Sequence, residues 1–111
     1  MTRTSFCCTI IIALFVMIAA PPRLFSQPPG DAVFKRKCQV CHGPDGSGGT
    51  VMGKRLGAKD LKSDEVQKQT DAELTNVIKK GKEKMKGFEG KVSDDDIKAL
   101  VAYVRELGKK K

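Results

Sequence analysis

Two cysteines and one histidine lie within five consecutive residues, Cys38-Gln-Val-Cys41-His42. With two residues between them, the thiols can add to two neighbouring vinyl groups on one edge of a haem, and the histidine can then reach the iron. This spacing is the attachment signal of a c-type haem. The sequence therefore predicts one covalent haem c, with thioethers at Cys38 and Cys41 and with His42 as an axial iron ligand.

Other kinds of site contain the same pair of cysteines. A thioredoxin-like redox pair lies in a βαβ context, which the sequence does not suggest. A structural zinc site needs four ligands, and beyond residue 26 the chain has two cysteines and one histidine. A plain disulfide does not account for the single histidine of the chain next to the second cysteine. Haem attachment explains all three residues.

The N-terminal residues have the layout of a secretory signal peptide. Arg3 precedes an apolar run, Ile10–Ala20, which is shorter than the roughly 20 residues of a membrane-spanning helix. We expect cleavage after Ser26, with Ala20 as the other candidate position, rather than retention as a membrane anchor. The expected organisation is a signal peptide at 1–26 and a periplasmic domain at 27–111.

The expected mature domain is small and basic. Its 85 residues include 19 basic and 13 acidic side chains, which give a formal charge of +6. Its aromatic residues are Phe34, Phe88 and Tyr103, and a domain of this size is close to the lower limit for a self-sufficient core. A cofactor that binds only the folded form adds stability, so we expect the protein to fold poorly without haem.

Helical patterns lie on both sides of the cysteine motif. The stretch from Gly30 to about Val40 is predicted to be a helix, because Gly30, Phe34, Cys38 and Cys41 are spaced so that they share one face. Thr70–Glu73 matches a capping box and begins a helix that ends at Gly81. Ser93 precedes a last helix with an apolar stripe from Ile97 to Leu107, whose end Gly108 marks.

The segments between these helices carry weaker signals. Residues 43–49 are a glycine-rich loop, and 51–66 is expected to be irregular with at most one short helix. Leu56 and Leu61 are the expected buried residues of this second stretch. Residues 81–91 are a glycine-punctuated loop. Because no segment alternates as a strand does, the sequence predicts an all-α domain.

A haem in an electron-transfer protein often has methionine opposite the axial histidine. The candidates are Met52 and Met85, and distance excludes neither, because the ten residues from His42 to Met52 can span up to roughly 33 Å. Met85 lies among glycines and lysines without apolar periodicity, an unusual place for a core residue. This context favours Met85 as the second iron ligand.

The chain resembles class I cytochrome c, in the subgroup of small bacterial monohaem carriers. The resemblance covers residues 30–108 and depends on Gly30 and Phe34 before the cysteine motif and on Leu100 and Tyr103 in the last helix. It implies a cytochrome c fold of three to four helices around the haem. In that fold the first and last helices cross, and Phe34 contacts Leu100 and Tyr103.

The resemblance also extends to the cofactor site. It implies Met85 as the sixth iron ligand, in a distal loop where family members commonly have proline at the position of Lys86. Leu56 and Leu61 match positions that contact the haem. Axial histidines usually donate their second ring N–H to a carbonyl, and 43–49 is the nearest segment that could supply one.

The predicted function is one-electron transfer by a soluble monomer that is not an enzyme. Five lysines around Met85 would steer it toward acidic docking patches on a reductase or an oxidase; they are Lys79, Lys80, Lys82, Lys84 and Lys86. Nucleic-acid binding is disfavoured, because the chain is expected to be exported and carries no recognition motif. The alternatives are a haem sensor or peroxidase-like enzyme with an open iron site, and a thiol oxidoreductase without haem.

Overall fold

The computed structural model of this protein describes residues 28–110. The predicted signal peptide, 1–26, lies outside the described residues, and its cleavage stays a prediction. No helix within 28–110 is long and apolar enough to cross a membrane. The described elements follow one another as α1 (Pro29–Lys37), α2 (Gln39–His42), α3 (Val51–Leu56), α4 (Asp64–Gln67), α5 (Asp71–Lys80), β1 (Gly81–Lys82), β2 (Met85–Lys86) and α6 (Asp94–Gly108).

The first and last helices cross, as predicted. They meet at Gly30, where an added Cβ would lie only 2.3 Å from the carbonyl oxygen of Ala99. Next to this contact Phe34 is 1% exposed, and its ring centroid lies 4.9 Å from that of Tyr103. Leu100 belongs to the same buried cluster. The crossing of α1 and α6 therefore forms the centre of the core, beside the cysteine motif.

Hydroxyl caps begin the two longest helices. At the start of α5, Thr70 Oγ1 accepts from the Glu73 N–H at 3.1 Å, and the Glu73 carboxylate accepts from the Thr70 N–H at 2.6 Å. This reciprocal pair confirms the capping box. Ser93 caps α6 in the same way, and Gly108 is the last helical residue, followed by Lys109 as the cap.

The sequence pattern did not predict the short helices individually. The predicted first helix is interrupted at Cys38, whose φ of −117° separates α1 from α2. The stretch 51–66 contains α3 and nearly all of α4, whereas at most one short helix was predicted there. Each of these helices begins at a hydroxyl cap, Thr50 or Ser63. A helix of one or two turns is too short for its apolar spacing to stand out, so the cap is the stronger local signal.

A β-hairpin replaces part of the loop predicted for 81–91. Strands β1 and β2 pair antiparallel, with Lys82 opposite Met85. Glu83 in the hairpin loop has φ of 54°, the left-handed region that non-glycine residues rarely adopt. Strands of two residues are too short to show alternation, which is why the sequence predicted no strand. The domain is otherwise helical.

Candidate functional site

A cavity of about 420 Å³ lies beside the cysteine motif. Its volume falls within the roughly 300–1,000 Å³ of typical small-molecule sites, and most of the side chains around it are apolar. Leu56 and Leu61 are half-buried rather than buried, because they line this space. The six residues predicted to hold or contact the cofactor all line it: Cys38, Cys41, His42, Leu56, Leu61 and Met85.

The two cysteines present free thiols to the cavity. Both are half-buried, and no disulfide joins them. Burial raises the pKa of the Cys38 thiol to about 11, and the neighbouring Cys41 thiol contributes in the same direction. Redox-active dithiols contain a cysteine whose pKa is lowered, so that a thiolate forms near neutral pH. The environment of Cys38 has the opposite effect and disfavours a thiol oxidoreductase.

The ring of His42 is oriented by one hydrogen bond. Its Nδ1 lies 3.0 Å from the carbonyl oxygen of Lys59, and because a carbonyl only accepts, Nδ1 must carry the proton, which in the neutral ring leaves the lone pair on Nε2. Among the described residues no buried side-chain nitrogen or oxygen lacks a partner. Nε2, which has no partner, must therefore be accessible, and the space that His42 borders is the cavity.

The acceptor of this hydrogen bond differs from the predicted one. The loop 43–49 is the nearest segment in sequence, but the carbonyl belongs to Lys59, 17 residues after His42. The loop instead binds the backbone of the motif, where the Gly48 N–H donates to the carbonyl of His42 at 2.7 Å. The chain turns back after α3, so the carbonyl that meets the imidazole comes from the returning segment.

Thr50 joins the cysteine motif to α3, a role that was not predicted from the sequence. Its hydroxyl accepts from the Gly53 N–H at 2.9 Å and lies 2.9 Å and 3.0 Å from the carbonyl oxygens of Val40 and Cys41, which share its single O–H donor. An added Cβ at Gly53 would lie 2.1 Å from the Cys41 carbonyl oxygen. The position of Thr50 before a short helix was the available signal for its cap role.

Both methionines of the domain border the cavity, from different elements. Met52 lies in the first turn of α3, which Thr50 joins to the cysteine motif, and its side chain is 42% exposed. Met85 is half-buried and lies on β2 of the hairpin. The two candidate ligands are therefore carried by separate parts of the fold.

The lysines around Met85 fall into two groups. Lys79 pairs with Asp94 at 2.8 Å, and Lys80 pairs with Glu89, so these two lysines are neutralised locally. The other three border the cavity and have no ion-pair partner among the described residues; they are Lys82, Lys84 and Lys86. The unpaired lysines at the cavity are thus mainly those of the hairpin, with Lys37 of α1 as a further one.

The chemistry of these groups fits a covalent haem. The free thiols are the groups that add to vinyls, the Nε2 lone pair of His42 can ligate iron, and a thioether sulfur is available from the hairpin or from α3. Apolar walls match the faces of a porphyrin. No buried charge within the described cavity lining opposes it, since its acidic residues, Glu65 and Glu83, are exposed.

Comparison with known proteins decides the family. The family model described as cytochrome c oxidase, cbb3-type, subunit III matches residues 26–104. Cytochrome c6 from Thermostichus vulcanus is 31% identical over 103 residues, which are 93% of this chain and 89% of that protein. The chain belongs to the class I c-type cytochromes. It carries one covalently attached haem c with iron and transfers electrons, as the sequence predicted.

Two further matches bear on the fold and on the extent of the similarity. The KustC0563 c-type cytochrome superposes with a TM-score of 0.65 and 35% identity, over 70% of this cytochrome and 95% of that chain. The predicted cytochrome c fold is therefore confirmed, and the structure adds a short two-stranded hairpin to the predicted helices. Dihydro-heme d1 dehydrogenase from Pseudomonas aeruginosa is 31% identical over 80 residues, which are 70% of this cytochrome but 15% of that protein.

Proposed function

We propose that this cytochrome is a soluble periplasmic carrier of one electron, in which Cys38 and Cys41 hold the haem and His42 and Met85 are its axial ligands. The observation that carries the proposal is the lone pair of His42 Nε2, accessible in the same cavity that both thiols and Met85 border. When bound, the haem supplies a one-electron redox change at its iron. The chain orients the ligands, excludes water and needs no catalytic acid or base, so we propose that it is not an enzyme.

The placement of the two methionines supports Met85 over Met52. Met52 belongs to α3, which Thr50 binds to the same segment that carries His42. Among the described residues no hydrogen bond joins the hairpin to the cysteine motif, so the hairpin can supply a ligand independently of the segment that carries His42. The Met85 sulfur is a soft donor that would suit the iron of an electron-transfer haem. We propose Met52 as an apolar wall residue.

Leu56 and Leu61 are proposed contacts of the haem faces. Leu56 borders the cavity from the end of α3 and Leu61 from the segment between α3 and α4, and both side chains are half-buried. Burying the remaining apolar area of each would contribute at roughly 25 cal/mol per Å². This contribution is the physical basis for the expectation that the protein folds poorly without haem.

An absorption spectrum of the protein, produced with the haem-attachment machinery, tests the proposal. We expect a Soret band that stays with the polypeptide under denaturing conditions, and in the oxidised form the weak far-red band of Met–iron ligation. Met85→Ala should abolish the far-red band, whereas Met52→Ala, the matched control, should retain it. The absence of a Soret band in the wild type would refute the carrier, and rapid carbon monoxide binding by the reduced protein would indicate an open site.

We propose that the hairpin lysines dock this cytochrome to acidic patches on a reductase or an oxidase. A positive patch steers association with negatively charged partners, and salt screens that steering. Ferricyanide is a suitable anionic probe: Lys84→Gln should slow its second-order reaction at low ionic strength and flatten the salt dependence. Lys98→Gln makes the same charge change on α6 away from the cavity lining and should have a smaller effect. Equal effects would refute the patch.

The exported form and the monomeric state complete the proposal. Mass spectrometry of the protein from an exporting host should give a chain that begins at Gln27, with residue 21 as the other candidate start. Size-exclusion chromatography should give the volume of a monomer. A retained leader would contradict the periplasmic soluble form, and an oligomer would contradict the monomer.

A further inference from the structure

Gln67 lies outside the cavity, but its side-chain amide joins two elements that border it. Nε2 donates to the carbonyl of Leu61 at 2.7 Å and to the carbonyl of Val104 at 3.0 Å. A carboxamide nitrogen has two N–H groups, so one amide can satisfy both acceptors. Leu61 and Val104 both line the cavity. Gln67 therefore connects a cavity-lining segment to the last helix.

The last helix is shaped to hold Gln67. An added Cβ at Gly108 would lie 2.4 Å from the amide carbon of the Gln67 side chain, so glycine at this position leaves the space that the amide occupies. One turn earlier, Arg105 Nη1 donates to the backbone carbonyl of Gln67 at 2.8 Å. Arg105 is itself held by the Asp71 carboxylate at 2.8 Å. Both the backbone and the side chain of Gln67 are thus bound to α6.

The segment held by Gln67 also carries the acceptor of the histidine. Residues 58–61 are anchored at both ends: the first N–H donates to the carbonyl of Gly53 at 2.8 Å, and the last N–H donates to the carbonyl of Gly46 at 2.8 Å. The last carbonyl of the segment accepts from Gln67. Between these anchors lies the carbonyl of Lys59, the acceptor for His42 Nδ1. Among the described hydrogen bonds, those of Gln67, the last residue of α4, are the ones that link this segment to α6.

We propose that Gln67 is a positioning residue: by holding the 58–61 segment against α6, it sets the strength of the hydrogen bond from His42 Nδ1 to Lys59 and so tunes the reduction potential. This inference rests on His42 as the iron ligand, as proposed above. A firm hydrogen bond at Nδ1 makes the imidazole a better electron donor and favours the oxidised metal. Loosening the segment weakens that bond and raises the potential.

The test compares two substitutions that disturb this contact from opposite sides. Gln67→Met keeps the length of the side chain but removes the donor, and Gly108→Ala places a methyl group where the amide lies. Second-sphere changes alter metal-site equilibria by roughly tenfold. We expect each variant to raise the reduction potential by up to about 59 mV, the one-electron equivalent of a tenfold change, and NMR to show faster solvent exchange of the His42 Nδ1 proton.

Val101→Ala is the matched control. Val101 is buried on α6, in the cluster with Val66, Leu74 and Val104, and it does not line the cavity. Its truncation should lower stability while leaving the potential and the exchange rate at their wild-type values. If this control shifts both readouts as far as Gln67→Met does, the effect is a general loosening and the proposal is overturned.

Further outcomes separate this inference from the proposed function. If Gln67→Met and Gly108→Ala keep the wild-type potential and exchange rate, the positioning role is wrong although the carrier function stands. If Gln67→Met does not fold, Gly108→Ala alone decides between the two results. A wild-type protein without the spectrum of a His/Met haem would refute both the proposed function and this inference.

Discussion

The close crossing of α1 and α6 predicts that Gly30→Ala destabilises the domain, whereas helix propensity alone predicts that it stabilises the helix. In an isolated helix Gly30→Ala should stabilise, because alanine is favoured over glycine by roughly 1 kcal/mol. In the folded domain the new Cβ would lie 2.3 Å from the Ala99 carbonyl oxygen and 2.8 Å from Tyr103 Cβ. Ordinary contact begins at 3.4 Å, so α1 must move outward by about 1 Å against a helix backbone that cannot rotate away.

The change in the free energy of unfolding for Gly30→Ala follows from these two opposing contributions. Overpacking of a close contact costs typically about 1–3 kcal/mol, and contact with backbone atoms places Gly30→Ala toward the upper end. After the gain in helix propensity, we expect a net loss of roughly 1–2 kcal/mol. For a domain of 60–100 residues each 1 kcal/mol lowers the midpoint of thermal unfolding by roughly 4–8 °C. The expected decrease for Gly30→Ala is therefore about 5–15 °C.

Thermal unfolding of the oxidised haem protein, followed by far-ultraviolet circular dichroism, measures this change. Ala32→Ser is the control, because Ala32 is exposed on the same helix and surface substitutions usually stay within about 0.5 kcal/mol. A Gly30→Ala protein with a midpoint equal to or above that of the wild type would show that the helices do not cross this closely, and the reasoning from contact distance would fail.

Two further predictions concern stability. Asp31 is buried, and its hydrogen bond from Lys35 and a weaker one from Tyr103 outweigh desolvation and hold the pKa of its carboxyl below the usual 3.8. A lowered folded-state pKa contributes stability above pH 3.8 that is lost as pH falls through the folded value, so acid titration of unfolding should give a steeper loss for the wild type than for Asp31→Asn. Thr50→Val should cost about 2–3 kcal/mol in urea unfolding, because a helix cap and the O–H donor shared by two motif carbonyls are lost together. Thr70→Val, which removes a cap alone, should cost about 1 kcal/mol, and equal losses would contradict the role assigned to Thr50.

The parts of the fold that the sequence predicted well depend on contacts within a few residues. The capping box at Thr70, the cap at Ser93 and the apolar stripe of the last helix are local patterns, and each forms as predicted. The contact of Phe34 with Tyr103 followed from resemblance to a family rather than from spacing. The interruption at Cys38 was missed because nothing in its neighbours excludes a continuous helix.

The candidate site was predictable in its residue types but not in its hydrogen bonds. The motif at residues 38–42 specifies thiols and an imidazole through spacing alone. The acceptor of the imidazole, the carbonyl of Lys59, is 17 residues away, and every backbone offers a carbonyl, so no residue type marks it. The pairing of Lys79 and Lys80 with carboxylates likewise depends on where the end of α5 meets the start of α6 and the segment before it.

The sequence by itself determined the cofactor chemistry, the helical class and the starts of the two longest helices, because each is specified by residues close together in the chain. Only the tertiary structure decided which carbonyl orients His42, which lysines stay unpaired and how Gln67 joins the cavity wall to α6 over 37 residues. Those features require distant segments to meet at hydrogen-bonding distance. The meeting is set by packing, above all by the close crossing at Gly30 and by the space left at Gly108.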